Sequence, residues 1–229
     1  MRLYFIRHGE PDYKSDSLTK LGREQAQKLA EHIHELKLDE IYSSPLGRAV
    51  QTAAYSAEKL RLEVKTLPWL KELLWGDYSG NAYSTDSPWS INERFVSTRH
   101  AYPAGESWKT EEAVKNDRMV EDVAEKCAKL DEWLKTRGFE RCGQLYKTGG
   151  SLPEKQKNIA FFCHGGVSTA LIGHLLNIPF WQMIAHFGFD LTSIACIEFS
   201  EADGCSATNA EHYSAAHLAF SGDVHHLQN

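Results

Sequence analysis

No apolar run in this 229-residue chain is long enough to span a bilayer, and the N-terminus lacks the charged, apolar and cleavage regions of a secretory signal. The expectation is a cytoplasmic protein with no membrane association. Cysteine is scarce: Cys127, Cys142, Cys163, Cys196 and Cys205 are odd in number and fall in no paired or metal-ligating spacing, which predicts reduced, mostly buried thiols. Positive charge is in deficit, with 25 Lys and Arg against 31 Asp and Glu and a net charge of −6. That balance argues against a protein-wide field for nucleic acid, so any anion binding must be local. Internal repeats and low-complexity tracts are absent. What remains is an ordinary globular composition, 42% hydrophobic and 24% charged, read as a single domain over residues 1–229.

Apolar strand-like runs alternate with amphipathic helical patterns, the signature of βα repeats around a largely parallel sheet. The first strand covers residues 2–6, and a helix follows from about Leu21, with Ala26, Leu29, Ala30, Ile33 and Leu36 at helical steps. Glu40-Ile41-Tyr42 reads as a short strand. Ser44-Pro45 then offers an N-cap and a first-turn proline for a helix to about Leu60. A third strand, near Glu63 to Leu67, is closed by Pro68, and the loop beyond it, marked by Gly76 and Gly80, holds Glu72. Residues 81–109 lack clean periodicity and read as a lid-like, partly helical insertion. A long helix is predicted from about Thr110 to Lys135, and the polar, Gly-rich stretch 137–157 reads as a surface insertion. The strand 159–163 runs into a helix ending near Asn177, and Ile194 to Phe199 is a last strand before a tail of unassigned form.

Strand ends are where such a sheet gathers its chemistry. They supply Arg7 and His8 from the first strand, Arg48 after the second, Glu72 after the third and His164 after the fourth. Two guanidinium groups suit forked hydrogen bonding to a phosphoryl group, an imidazole is the available nucleophile, and a carboxyl serves as proton donor. Glu72 is the candidate acid, with Asp77 as the neighbouring alternative. An arginine in the first turn of a helix opposes the helix dipole, so Arg48 there suggests a bound anion or a carboxylate.

The segments FIRHGE, LTKLGREQA, YSSPLGRAVQTA, LKELLWGDYSG and FFCHGG, in this order over roughly residues 2–200, resemble the histidine phosphatase superfamily, also called phosphoglycerate mutase-like. SGDVHHL extends the similarity faintly into the tail. The resemblance implies an α/β fold, a three-layer αβα sandwich with a mostly parallel central sheet. It makes His8 the phosphorylated residue, Arg7, Arg48 and His164 the phosphate pocket, and Glu72 the proton donor. Gly9, Glu10, Thr19, Ser107 and Gly165 are further candidates for substrate contact. Pro11-Asp12-Tyr13 stands where mutase-type members usually carry Thr or Ser and then Trp-Asn, which favours a phosphatase. The implied activity is hydrolysis of a small phosphomonoester to alcohol and inorganic phosphate, with no cofactor. The alternatives are a 2,3-bisphosphoglycerate-dependent mutase and a non-catalytic phospho-ligand module. Monomer and homodimer are both open.

The aromatic group Trp75, Tyr78, Tyr83, Trp89, Phe95, Tyr102 and Trp108 is read as packing of the insertion rather than as a stacking platform. Arg94, Arg99 and Lys109 are read as solvated. Residues two apart on a helix face differently, and no Cys or carboxylate cluster accompanies the pairs His32/His34 and His225/His226, so no metal is expected.

Overall fold

The computed structural model describes residues 1–79, 85–148, 153–201 and 212–227. Gly80, Tyr83, Cys205 and residues 149–152 of the polar stretch lie outside them. In chain order the strands are β1 (Arg2–Arg7), β2 (Pro11–Asp12), β3 (Ser17–Leu18), β4 (Glu40–Ser43), β5 (Val64–Thr66), β6 (Phe139–Cys142), β7 (Leu145–Thr148), β8 (Asn158–Cys163), β9 (Ile194–Glu201) and β10 (His212–Asp223). The helices are α1 (Lys20–His32), α2 (Gly47–Leu60), α3 (Pro88–Arg99), α4 (Met119–Thr136), α5 (Gly165–Leu176) and α6 (Phe180–His186). No helix among the described residues is long and apolar enough to cross a membrane.

The main sheet has the order β5-β4-β8-β1-β9-β10-β7-β6. Its first four strands are mutually parallel, as the βα alternation predicts, and from β9 outward the pairings are antiparallel. Strands β1 and β8 are buried on both faces, which explains their unbroken apolar runs. Side chains on successive strand residues point to opposite faces. Leu3, Phe5, Ile159 and Phe161 therefore join Leu130, Leu134, Val167 and Leu171 of α4 and α5 on one side. Tyr4, Ile6, Ala160 and Phe162 join Leu29, Ile33, Ala53 and Ala57 of the α1–α2 region on the other. A third cluster, with Phe95, Trp108, Phe180 and Trp181, seats the insertion on α6.

The structure corrects several boundaries. α2 starts at Gly47, not at a Ser44 cap, because the Gly47 amide donates to Asp16 Oδ2, 31 residues away, at 2.7 Å. α4 starts at Met119 rather than near residue 110. Asp117 accepts from the amides of Gly76 and Met119 and from the Thr85 hydroxyl, and these bonds hold the preceding segment in turns. Residues 139–148 of the polar stretch 137–157 are not a surface insertion but the hairpin β6–β7, paired to β10. Phe139, Tyr146 and Thr148 are buried on one face of that hairpin, and Glu140 and Lys147 are exposed on the other. The tail forms the 12-residue strand β10. Cys127, Cys163 and Cys196 are buried free thiols and Cys142 is an exposed one.

Candidate active site

The parallel half of the sheet delivers its strand ends to one place. β1 ends on Arg7, His8 follows it, and the chain then turns at Gly9, where a Cβ would lie 2.5 Å from the carbonyl oxygen of Gly22. A side chain at 9 would separate this loop from α1. The His8 ring is only 2% exposed, and Nδ1 lies 2.7 Å from the Gly9 carbonyl, so Nδ1 carries the proton and donates. Nε2 is left as the lone-pair nitrogen, 3.3 Å from Arg48 Nε. Burial, aided by Arg48 and Arg7, lowers His8 to a pKa of about 4, which keeps the ring neutral near neutral pH.

The sequence expectation that an anion or carboxylate accompanies Arg48 is met by Asp16. Its Oδ1 accepts from Arg48 Nη1 at 2.6 Å while Oδ2 accepts the first amide of α2. Tyr13 lies against the same guanidinium, 5.3 Å from ring centre to Cζ. Sequence reasoning missed Asp16, because the loop 11–18 folds back as the β2–β3 hairpin before reaching α2. The first-turn arginine was the signal that a partner existed.

His164 precedes α5, with its ring 5.0 Å from that of His8 and 0% exposed. Ser44 Oγ accepts the Leu46 amide and lies within hydrogen-bonding distance, 2.8 Å, of His164 Nε2. Nδ1 of the same ring is buried without a partner, as is Arg7 Nε. Buried polar atoms of this kind are costly unless a partner reaches them, and a phosphoryl group supplies acceptor oxygens for the Arg7 Nε hydrogen and for a His164 ring hydrogen. Burial first, then His8 and the arginines, holds His164 well below the usual imidazole range. The rest of Arg7 is anchored by a hydrogen bond from Nη1 to the Phe189 carbonyl, and Gly165 lies against it, its would-be Cβ 3.7 Å from Arg7 Nε.

Glu72 occupies the N-terminus of α5, beside His164. Its carboxylate accepts from the amides of Leu73 (2.8 Å), Gly166 (3.2 Å) and Val167 (2.9 Å). Burial pushes this carboxyl above the ordinary range, against the pull of those three amides. Asp77, the alternative, is exposed and accepts from Ser79 next in the loop.

The further candidates behave differently. Gly9 donates its amide to Thr52 Oγ1. Glu10 and Thr19 bond each other, and Thr19 caps α1 at Gly22. Ser107 is exposed and donates to the Ala104 carbonyl within its own turn. Trp89 borders the site: its Cη2 would stand 3.2 Å from a Cβ at Gly166, and its ring meets that of Trp75. Phe95 and Trp108 are buried in the third cluster, whereas Tyr78 and Tyr102 are exposed. Arg99 and Lys109 pair with Glu111 and Glu106, and Arg94 pairs with Asp86.

Two imidazoles, two guanidiniums and a carboxyl thus converge on one edge of the sheet, in the order the motifs run. The family model for the histidine phosphatase superfamily (branch 1) matches residues 3–135. The chain belongs to that superfamily. The adenosylcobalamin/alpha-ribazole phosphatase of Escherichia coli (strain K12) is 28% identical over 218 residues, 88% of this chain and 91% of that protein. The glucosyl-3-phosphoglycerate phosphatase of Mycobacterium tuberculosis is 28% identical over 201 residues, 82% and 81% of the two chains. Among solved structures, a mycobacterial glucosyl-3-phosphoglycerate phosphatase complexed with VO3 superposes with a TM-score of 0.62 at 25% identity, covering 96% of this chain and 97% of that one. This histidine phosphatase superfamily member is therefore an enzyme of the phosphatase type.

Proposed function

We propose that the protein hydrolyses a small phosphomonoester through a phosphohistidine formed on His8, by chemistry that needs no metal. The observation that carries this reading is the His8 ring itself. It is neutral, with Nδ1 tied to the Gly9 carbonyl and Nε2 presented between Arg48 and His164. Nε2 attacks phosphorus, the N–P bond forms and the ester O–P bond breaks, and the departing alcohol takes a proton from Glu72. Water then attacks the phosphohistidine, its proton returns to Glu72, and the N–P bond breaks to release phosphate. Arg7, Arg48 and His164 hold the charge that builds on the equatorial oxygens. Gly9 and Gly165 shape the backbone around the pocket, and Glu10 and Thr19 brace it.

A groove of about 700 Å³ opens beside Arg7, lined among others by Glu10, Tyr13, Gln25 and Asp190. Arg7 is the cation in that wall, and it faces two carboxylates. The lining favours a hydroxylated, uncharged alcohol portion over a second anionic group, which supports a phosphatase over a bisphosphoglycerate-dependent mutase. The test is phosphate release from a panel of sugar phosphates, phosphoglycerates, nucleotides and α-ribazole phosphate, with the native protein and with His8→Ala. The expected result is release from uncharged-alcohol esters, loss with His8→Ala, and an acid-labile phosphoenzyme in the native protein alone. Isomerisation without net phosphate release overturns the hydrolase reading. Phosphate-ester binding without turnover overturns catalysis altogether.

A further inference from the structure

At the C-terminal end of α1, three side chains with metal-ligating atoms converge where the turn His225–Leu227 docks. His32 ends α1, and Glu35 lies in the 3₁₀ turn Ile33–Leu36 that continues it. Residues three apart in such a turn stand one above the other, so His32 Nδ1 and Glu35 Oε1 come within 3.1 Å. His225, distant in sequence, brings its Nε2 to 3.6 Å from Glu35 Oε2 and its ring to 5.3 Å from that of His32. One ligating atom from each of the three lies within 4.8 Å of the others. Asp223 Oδ1 accepts the Nδ1 hydrogen of His225 at 2.8 Å, which leaves the Nε2 lone pair facing the cluster. A carboxylate behind a histidine is how metal-bound imidazoles are commonly oriented. Neither histidine pair in the sequence reveals this arrangement, because the carboxylate partner comes from the turn and the second imidazole from the opposite end of the chain.

We propose that His32, Glu35 and His225 bind one divalent transition cation of the zinc type, with Asp223 orienting His225. Two imidazole nitrogens and one carboxylate oxygen form a borderline-soft set that suits zinc rather than magnesium or calcium. Tetrahedral zinc with bonds of about 2.0–2.1 Å sets its ligand atoms roughly 3.3 Å apart. His32 Nδ1 lies 3.1 Å from one oxygen of Glu35 and His225 Nε2 3.6 Å from the other, so a small turn of the carboxylate and of the rings seats the ion. Glu35 and His225 are half exposed, so water completes the coordination.

The cation would fasten the tail to α1 at a place that supports the groove without joining the reaction. The same turn carries His226, which is buried with Nε2 2.9 Å from Thr192 Oγ1, and the Thr192 amide donates to the carbonyl of His8. Val224 and Leu227, on either side, line the groove beside Arg7.

The experiment is a competition titration of the full, metal-stripped chain with zinc and a chromophoric chelator, repeated for variants whose folding is checked by circular dichroism. One zinc per chain is expected. His32→Ala, His225→Ala and Glu35→Gln should each weaken it at least as much as Asp223→Asn, for which about 10-fold or more is expected. His34→Ala is the control: its ring bonds the Glu31 carbonyl instead, and it should bind zinc like the native chain. Zinc should also raise the melting temperature of the native chain and leave that of Glu35→Gln unchanged. If His225→Ala fails to fold, Glu35→Gln and Asp223→Asn decide the matter. No zinc taken from the chelator, or equal weakening by His34→Ala and Glu35→Gln, overturns the proposal.

Discussion

A methyl group placed at residue 166 tests the role assigned to Glu72 without altering any charged group. In Gly166→Ala the new Cβ would stand 2.6 Å from Glu72 Oε1, and 3.2 Å from both Leu73 Cδ1 and Trp89 Cη2. Carbon and oxygen do not settle below about 3.0 Å, so the carboxyl must retreat by roughly half an ångström, and its neighbours obstruct the retreat. A misplacement of 1 Å at a reacting group costs about 100-fold, so half of that costs roughly tenfold, or about 1.4 kcal/mol of barrier. The helix gains up to about 1 kcal/mol from alanine, which offsets part of an overpacking cost of about 1–3 kcal/mol, so the melting temperature should fall by only a few degrees. Stopped-flow kinetics separate the two halves of the reaction. An aryl phosphate, whose leaving group needs no proton, should show a burst of about one equivalent per enzyme and then slow turnover, because water activation still requires Glu72. An alkyl phosphate should show slowed phosphorylation and no burst. Equal loss on both esters without a burst would refute the assignment of Glu72, and so would an undiminished rate on the alkyl ester.

The pH profile of kcat/KM should be bell-shaped and displaced to acid: activity falls as pH drops through about 4, where His8 takes up a proton, and falls again as pH rises through the raised Glu72 value. A rate climbing steadily into alkaline solution would contradict it. Gly22→Ala should lower both stability and activity although alanine favours helix, because its Cβ would meet the Glu10 carbonyl at 2.1 Å and push the 9–19 loop off α1. A loss of about 1–3 kcal/mol in urea unfolding is expected. Arg137→Ala should cost about 1–2 kcal/mol, since the Arg137 guanidinium is the foremost of the groups, with Tyr42 and Lys157, that hold Glu40 at a pKa of about 2. That stability is present above the unfolded carboxylate value and is lost as pH falls through about 2. The gap between native and variant in denaturant titrations should therefore narrow across this range. A gap independent of pH would show that Arg137 acts through its packing on Trp133 instead.

What the sequence revealed divides along a physical line. Strands buried on both faces, β1 and β8, are unbroken apolar runs and were legible, as were the residues at their ends. Arg7, His8 and His164 could be read because each ends or follows such a strand and Arg48 because it opens the helix after β4, whereas Glu72 lies in the loop beyond the exposed strand β5 and rested on its motif. The hairpin β6–β7 and the strand β10 bury only one face, so their composition looks polar and the alternation of Phe139, Tyr146 and Thr148 is masked. The start of α4 was misplaced because Asp117 bonds groups from the 76–85 region, a long-range tie with no local signature. Asp16 escaped notice for the same reason: its partners, Arg48 and Gly47, lie beyond an intervening hairpin and helix. Ser44 has the look of a helix cap in sequence, yet its hydroxyl contacts the histidine that follows β8.

Strand β1 is made first, yet its two neighbours in the sheet, β8 and β9, are made among the last. While the ribosome is still adding residues before 158, Arg7 and His8 have no strand beside them and no second imidazole to face. The nascent chain thus cannot hydrolyse esters in mid-synthesis, and the long wait leaves the apolar β1 segment in need of shelter. Such a chain should lean on chaperones until its middle strand is clasped from both sides.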